Sequence, residues 1–272
     1  MKRGTAALAG MTAIAALVLS GCTSKQAGSP GPAAAANPEI NTLTLLAQRV
    51  SETSAAKQGA HLNISVEGSG QALGGEGDVR FGAKPAMDLK MAIPEMAEVT
   101  MRFVDDAFYV KLPEELEPGK SWLKIDTKGA DPLSKALGSA VKQMKENGDP
   151  SQTLKLLEGA GEITGTKTES LNGRDTTHYT LTIDVKKLVA KQSDADQKKA
   201  LEEATKAGVQ NFPVDVWLDA ENLPARIALN IPFTDPTSQK TEQVKMTIDY
   251  TDWGKPVDVT APPAAEVAEL PR

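Results

Sequence analysis

Few side chains in this sequence suit covalent or acid–base chemistry. The chain has one cysteine, Cys22, and two histidines, His61 and His178. Both histidines fall on the polar side of alternating segments, and the threonines around His178 predict a solvated sheet face. No histidine and cysteine cluster has zinc-site spacing, and no Gly-x-Ser-x-Gly elbow occurs. We therefore expect no catalytic residue, no metal site and no cofactor, so the chain is predicted not to be an enzyme.

Composition and motif spacing exclude two further classes of protein. The 272 residues carry a formal net charge of −6 and give a pI of about 5.2, so we expect no nucleic acid as a partner. The glycine-rich stretch from Gly68 to Gly77 is not followed by a lysine at P-loop spacing. A flexible loop between two strands is the interpretation that this stretch favours.

The surroundings of Cys22 indicate a lipid attachment site. Lys2 and Arg3 precede an uncharged apolar stretch, and Leu19-Ser20-Gly21-Cys22 then resembles a bacterial lipobox. We predict a lipoprotein signal peptide over residues 1–21 and acylation of the Cys22 thiol, for example by palmitate-type chains. Such chains would anchor the protein to the extracytoplasmic face of the cell membrane. An ordinary signal peptide followed by an unrelated cysteine, or a cysteine of the core, is the alternative.

Composition divides the remaining chain into three parts. Residues 22–38 are rich in serine, glycine, alanine and proline and predict a flexible tether. Residues 39–260 show the patterns of a folded domain, and residues 261–272 are rich in proline and alanine and predict a disordered tail. Helical periodicity occurs at Leu43 to Val50, Leu133 to Met144, Ser151 to Glu158 and Val185 to Val209.

Alternating segments dominate the folded part and indicate half-buried strands. About ten or eleven such segments follow one another, with two-residue hairpin signals at Asp105-Asp106 and Asn172-Gly173. The economical fold is α+β: a single large curved antiparallel sheet, or half-barrel, with helices on its concave face. The alternation places a set of apolar side chains on that face as candidate cavity-lining residues: Met87, Leu89, Met91, Met101, Phe103, Val110, Leu181, Ile183, Val216, Leu229, Met246 and Ile248.

The four methionines in this set suit an irregular apolar ligand, because methionine is flexible and polarizable. A closed core produces the same alternation, however, so a filled core and an open cavity both agree with the pattern.

Three strings resemble a known family. They are Phe108 to Pro113, Lys120 to Asp126, and Asp252 to Val257 followed by Ala261-Pro262-Pro263. Together with the lipobox, they resemble the actinobacterial lipoproteins of the LppX, LprA, LprF and LprG group. That resemblance implies a LolA/LolB-type half-barrel with a hydrophobic cavity, no catalytic residues, and binding of a lipid or acylated glycolipid.

Two functions follow as hypotheses. In the first, the protein is a membrane-anchored lipoprotein that binds a lipid or acylated glycolipid in a hydrophobic cavity and carries it within the cell envelope. In the second, it is an envelope adaptor or sensor that binds a protein partner and regulates a membrane signalling system.

Overall fold

The computed structural model describes residues 40–68, 70–92, 98–115, 117–126, 150–192, 195–234 and 241–269. The described helices are α1 Leu43–Lys57, α2 Pro150–Leu157, α3 Val185–Lys191 and α4 Ala195–Lys206. The described strands are β1 Gly59–Gly68, β2 Gln71–Arg80, β3 Ala86–Ala92, β4 Val99–Val104, β5 Ala107–Lys111, β6 Trp122–Asp126, β7 Gly161–Leu171, β8 Arg174–Asp184, β9 Asn211–Leu218, β10 Pro224–Thr234, β11 Thr241–Thr251 and β12 Val267–Glu269. The predicted signal peptide, the tether and the helix around 133–144 lie outside the described residues.

The described strands form one open curved sheet in the order β12-β6-β5-β4-β3-β2-β1-β11-β10-β9-β8-β7. Two meanders, β1 to β6 and β7 to β11, are joined by the antiparallel pairing of β1 with β11. Every neighbouring pair is antiparallel except β12 and β6, which are parallel. The predicted α+β class with one large curved antiparallel sheet is therefore confirmed.

Both predicted two-residue hairpin turns are present, and their backbones explain the residues found there. Asp105 and Asp106 have φ angles of 51° and 63° between β4 and β5. Asn172 and Gly173 have φ angles of 52° and 78° between β7 and β8. A turn with positive φ at both central residues matches the right-handed twist of paired strands, and Asn, Asp and Gly tolerate it best.

The first helix packs the apolar stripe that its sequence predicts. Leu43, Leu46, Ala47 and Val50 are buried, and α1 contacts both α2 and β7. The helix begins after Thr42, whose side-chain oxygen accepts a hydrogen bond from the backbone N–H of Leu45 at 3.2 Å. The long helical segment predicted from 185 to 209 is instead two helices, α3 and α4.

The glycine-rich segment from Gly68 to Gly77 is largely a strand, so the prediction of a loop there is wrong. Strand β2 pairs along its length with β1, and from Gly74 to Arg80 with β3. Backbone groups make these hydrogen bonds, so missing side chains do not prevent a strand whose two neighbours hold it.

The segment after residue 260 is also more ordered than its composition predicts. Residues Val267–Glu269 form β12 beside β6, and Ala268 is 3% exposed, so the prediction of a disordered tail over 261–272 is wrong for this part. The path to β12 crosses the sheet and is held by two arginines. Arg80 donates a hydrogen bond to the carbonyl of Val257, and Arg102 donates one to the carbonyl of Thr260.

Candidate functional site

The apolar residues predicted to line a cavity share one face of the sheet, here called the apolar face. Directly paired residues of neighbouring antiparallel strands lie on the same face, so the strand registers define rows across it. One row is Leu181, Val214, Leu229, Met246, Val66 and Leu73. The next row is Tyr179, Val216, Ile227, Ile248, Ile64, Gly75 and Met91.

One end of the apolar face is a packed core. Leu181, Ile183 and Val216 have no exposed surface and belong to one cluster with Leu46 of α1 and Leu154 of α2. A cavity wall needs surface that a ligand can reach, and these side chains offer none. The structure therefore assigns these three predicted cavity residues to the core, because α1 and α2 fill the space above β8 and β9.

A second packed cluster lies at the other end of the same face. Phe103 has no exposed surface and its ring centroid is 5.3 Å from that of Phe108, at an interplanar angle of 49°. Met87 and Val110 pack against this cluster, and Leu89 is 5% exposed. Phe103 and Leu89 are thus core residues as well, and Met87 and Val110 border the cluster.

Between the two clusters lies a set of apolar side chains that are only half-buried, here called the central patch. Its members are Ile64 and Val66 of β1, Leu73 of β2, Met91 of β3, Leu229 of β10, and Met246 and Ile248 of β11. The described helices make their main sheet contacts with β7, β8 and β10. Four predicted cavity residues, Met91, Leu229, Met246 and Ile248, therefore remain as candidate ligand contacts, and Met101 on the neighbouring β4 is also half-buried.

The sequence prediction missed the contribution of β1 and β2 to this patch. Ile64 and Val66 alternate with polar residues, as the predicted cavity-lining residues do, and could have been included. Leu73 could not, because it lies in the segment predicted as a loop. Its register partner Val66 shows that it belongs to the same face.

Strand β2 also has two glycines where the apolar face would otherwise have side chains. A Cβ on Gly77 would lie 2.0 Å from the carbonyl oxygen of Asp88, so β3 passes too close for any other residue. A Cβ on Gly75 would lie 2.3 Å from the sulfur of Met91. The backbone of β2 therefore has no side chains of its own in the middle of the apolar face. At Gly75 the flexible side chain of Met91, from the neighbouring strand, covers this backbone.

The opposite, outer face has a histidine cluster that differs from the predicted solvated surface. His178 is 8% exposed and stacks on Trp217, with ring centroids 4.0 Å apart. Its Nε2–H donates to Asp215 over 2.7 Å, and its Nδ1 lies 2.9 Å from Glu169 without hydrogen-bond alignment. Hydrogen bonds from Lys167, and then from Trp217, lower the pKa of the Glu169 carboxyl. The prediction of a solvated His178 is thus wrong, because Trp217 covers the ring.

Other charged groups of the outer face also pair with each other. Arg226 donates two hydrogen bonds to Asp249, at 2.6 and 2.8 Å, and these bonds raise the pKa of the guanidinium. Arg102 pairs with Asp88, and its guanidinium lies over the ring of Trp122. A cleft of about 470 Å³ beside these residues is lined mainly by charged and polar side chains. This cleft of the outer face therefore suits water or a polar molecule rather than an acyl chain.

The described residues can be compared with the predictions on metal binding and on the membrane. Within those ranges, no three histidine, cysteine, aspartate or glutamate side chains are arranged to hold a metal ion. None of the described helices is long and apolar enough to cross a membrane. Cys22, the predicted acylation site, lies outside the described residues.

Two curated proteins of Streptomyces are similar in sequence. The first, from Streptomyces griseus, is called "Uncharacterized 31.2 kDa protein in rplA-rplJ intergenic region"; it is 30% identical over 178 residues, 63% of this chain and 56% of that protein. The second, from Streptomyces coelicolor, is called "Putative lipoprotein SCO4650"; it is 24% identical over 172 residues, 62% of this chain and 50% of that protein. The chain thus spans about half the length of the curated relatives it matches.

Among solved structures, LprF from Mycobacterium bovis aligns with 82% of this chain and 99% of its own, at 12% identity and a TM-score of 0.47. A search with protein-family models finds no match. The sequence similarity to Streptomyces proteins, one of them named as a lipoprotein, confirms the resemblance to actinobacterial lipoproteins.

Proposed function

We propose that this protein is a membrane-anchored extracytoplasmic lipoprotein that binds a lipid or acylated glycolipid on the central patch and carries it within the cell envelope. The central patch is the observation that carries this proposal. Seven apolar side chains from five strands lie together there and keep part of their surface accessible between two closed clusters. Half-buried aliphatic and methionine side chains of this kind are typical of an apolar ligand site.

The physical driving force is the transfer of acyl chains from water to this face. Burial of each methylene contributes about 0.8 kcal/mol, so a chain covering the patch gains affinity with every carbon that it places there. Unbranched methionines at Met91 and Met246 adapt to chains of different shape at low conformational cost. The headgroup, by contrast, would stay near polar surface, since burying it without partners is unfavourable.

We also propose a binding rather than a catalytic role for the chain. Both histidines are engaged with carboxylates, His61 with Asp78 at 2.8 Å and His178 with Asp215 at 2.7 Å. Both pairs lie on the outer face, away from the central patch. A general base placed there would be separated by the sheet from a lipid on the apolar face, which supports carriage without chemistry.

Membrane attachment is part of the same proposal and rests on the lipobox and the similarity to a named lipoprotein. The Cys22→Ala variant lacks the thiol that would accept the diacylglyceryl group. We expect the variant to move from the membrane fraction to the soluble extracytoplasmic fraction, as followed by immunoblotting. Ser24→Ala serves as the matched control and should stay in the membrane fraction. Unchanged partition of the Cys22→Ala variant would contradict the anchor.

Native mass spectrometry with lipid extraction tests the bound lipid. We expect the chain, purified with gentle detergent from an actinobacterial host, to carry a lipid near one-to-one stoichiometry. Delipidation should return the mass of the polypeptide. Protein that is free of lipid, and that takes up none when mixed with lipid extract of the host, would refute lipid binding and favour the adaptor hypothesis.

A further inference from the structure

The central patch contains one position at which a side chain covers bare backbone. In the row across the sheet, Gly75 lies between Ile64 of β1 and Met91 of β3. Glycine in the middle of a strand is unfavourable, and it often marks the close approach of another backbone or of a ligand. Gly77 is explained by the backbone of β3 alone, since a Cβ there would lie 2.0 Å from a carbonyl oxygen.

The situation at Gly75 is different, because a side chain lies closest to it. The sulfur of Met91 is 2.3 Å from the position that a Cβ would take, and its terminal methyl group is 3.3 Å away. The nearest backbone atom, the carbonyl oxygen of Lys90, is farther away at 3.0 Å. The thioether of Met91 thus occupies the space above the backbone of Gly75 where a Cβ would lie, here called the seat. Met91 is half-buried and unbranched, so rotation about its side-chain bonds can uncover this seat.

We infer that Met91 is a displaceable plug, whose thioether rotates off the backbone of Gly75 when an acyl chain enters the central patch. This inference rests on the proposed function and names a residue that controls entry of the chain. The acyl chain then lies against the backbone of Gly75, between Ile64 of β1 and the residues of β3. It buries more surface than it would on top of a side chain. The glycine at position 75 makes that seat possible.

Two glycines next to each other provide a matched pair of variants. Gly75→Ala places a methyl group in the seat and forces Met91 aside permanently. Gly74→Ala places the same methyl group on the outer face, where nothing lies within 4 Å of it. Neither glycine has a positive φ angle, so alanine can adopt the backbone conformation at both positions. At Gly75 the new Cβ would also lie 3.0 Å from the carbonyl oxygen of Lys90, so β3 must shift by a few tenths of an ångström. The probe is the fluorescent fatty acid cis-parinaric acid, titrated into the delipidated full chain.

We expect Gly75→Ala to bind the probe about fourfold more weakly than wild type, the change that one displaced methylene gives, with Gly74→Ala unchanged. A second measurement does not depend on the glycine variants. In wild-type protein with carbon-13-labelled methionine methyl groups, the Met91 signal, assigned through Met91→Leu, should shift as the probe saturates. In Gly75→Ala that signal should start at a different position.

The outcomes separate this inference from the function on which it rests. If wild type binds the probe but Gly75→Ala and Gly74→Ala have equal affinities, the plug is refuted and lipid binding stands. An unmoved Met91 signal at saturation refutes the plug as well, even if Gly75→Ala does not fold. If wild type does not bind the probe or lipid extract, the proposed function fails and the plug fails with it.

Discussion

Two leucines in one row across the sheet allow the packed core and the central patch to be perturbed by the same chemical change. Leu181 on β8 and Leu229 on β10 both pair with Val214 of β9, so they lie on the same face two strands apart. Leu181 has no exposed surface and contacts the cluster formed with α1 and α2, whereas Leu229 is half-buried at the margin of that cluster.

Replacing each leucine by alanine should therefore have different effects. We expect Leu181→Ala to lower mainly the free energy of unfolding, and Leu229→Ala to lower mainly the affinity for a fatty acid. Leu181→Ala leaves a cavity in a closed core, and such changes cost about 2–5 kcal/mol. Leu229→Ala removes a side chain that keeps part of its surface in water, so we expect a cost of about 1 kcal/mol. Because Leu229 contacts the ligand in this account, its loss should also weaken fatty-acid binding about fivefold.

Urea unfolding of delipidated protein, followed by tryptophan fluorescence, measures the first quantity, and titration with cis-parinaric acid measures the second. Leu181→Ala should bind the probe with nearly wild-type affinity at temperatures where it remains folded. The reasoning would be refuted if Leu229→Ala lost as much free energy of unfolding as Leu181→Ala. It would equally be refuted if Leu229→Ala bound the fatty acid as tightly as wild type.

Three further predictions concern the ligand, the outer face and the tail. Met101→Trp adds bulk at a half-buried position beside the patch and should reduce lipid loading while urea unfolding stays cooperative; normal loading would remove Met101 from the site. Glu169 has a folded-state pKa below its usual value of about 4.3, so its charge stabilises the fold above that pH, and the contribution disappears as pH falls through the lowered folded-state pKa. Thermal melts of Glu169→Gln should therefore lie below wild type near neutral pH and converge with it in acid; a constant difference would contradict this linkage. Truncation before residue 264 removes β12 and should lower the melting temperature by about 2–4 °C for each kcal/mol lost, whereas truncation after Glu269 should leave it unchanged; equal melts would mean that β12 adds no stability.

Most of the sheet could be predicted from alternation, because a strand with one buried face places apolar residues at every second position. That signal identified the strand containing Met246 and Ile248 and the return strand containing Leu181. It failed at β2, where Gly75 and Gly77 take two of the inward positions and interrupt the alternation between the apolar residues Leu73 and Val79. The close backbone of β3 requires glycine at Gly77 and the Met91 side chain lies over Gly75, and both contacts come from the neighbouring strand rather than from the local sequence.

The candidate site could be predicted as a face but not as a set of ligand contacts. Alternation assigns Leu181 and Met246 to the same side equally well, yet α1 and α2 close the core over Leu181 alone. Which part of a sheet a helix covers depends on contacts between residues far apart in the sequence, and periodicity does not contain that information. The burial of His178 was missed for the same reason, since Trp217 covers it from another strand.

The central claim, that an acyl chain binds on the central patch, can be tested directly by photocrosslinking. A palmitic acid analogue with a diazirine near its terminal methyl group would be loaded onto the delipidated full chain, irradiated, and mapped by peptide mass spectrometry. The account predicts labelling of β1, β10 and β11, around Ile64, Val66, Leu229, Met246 and Ile248, that excess unlabelled palmitate prevents. Labelling that concentrates on outer-face residues such as Trp122 or Trp217, or that palmitate does not prevent, would contradict it.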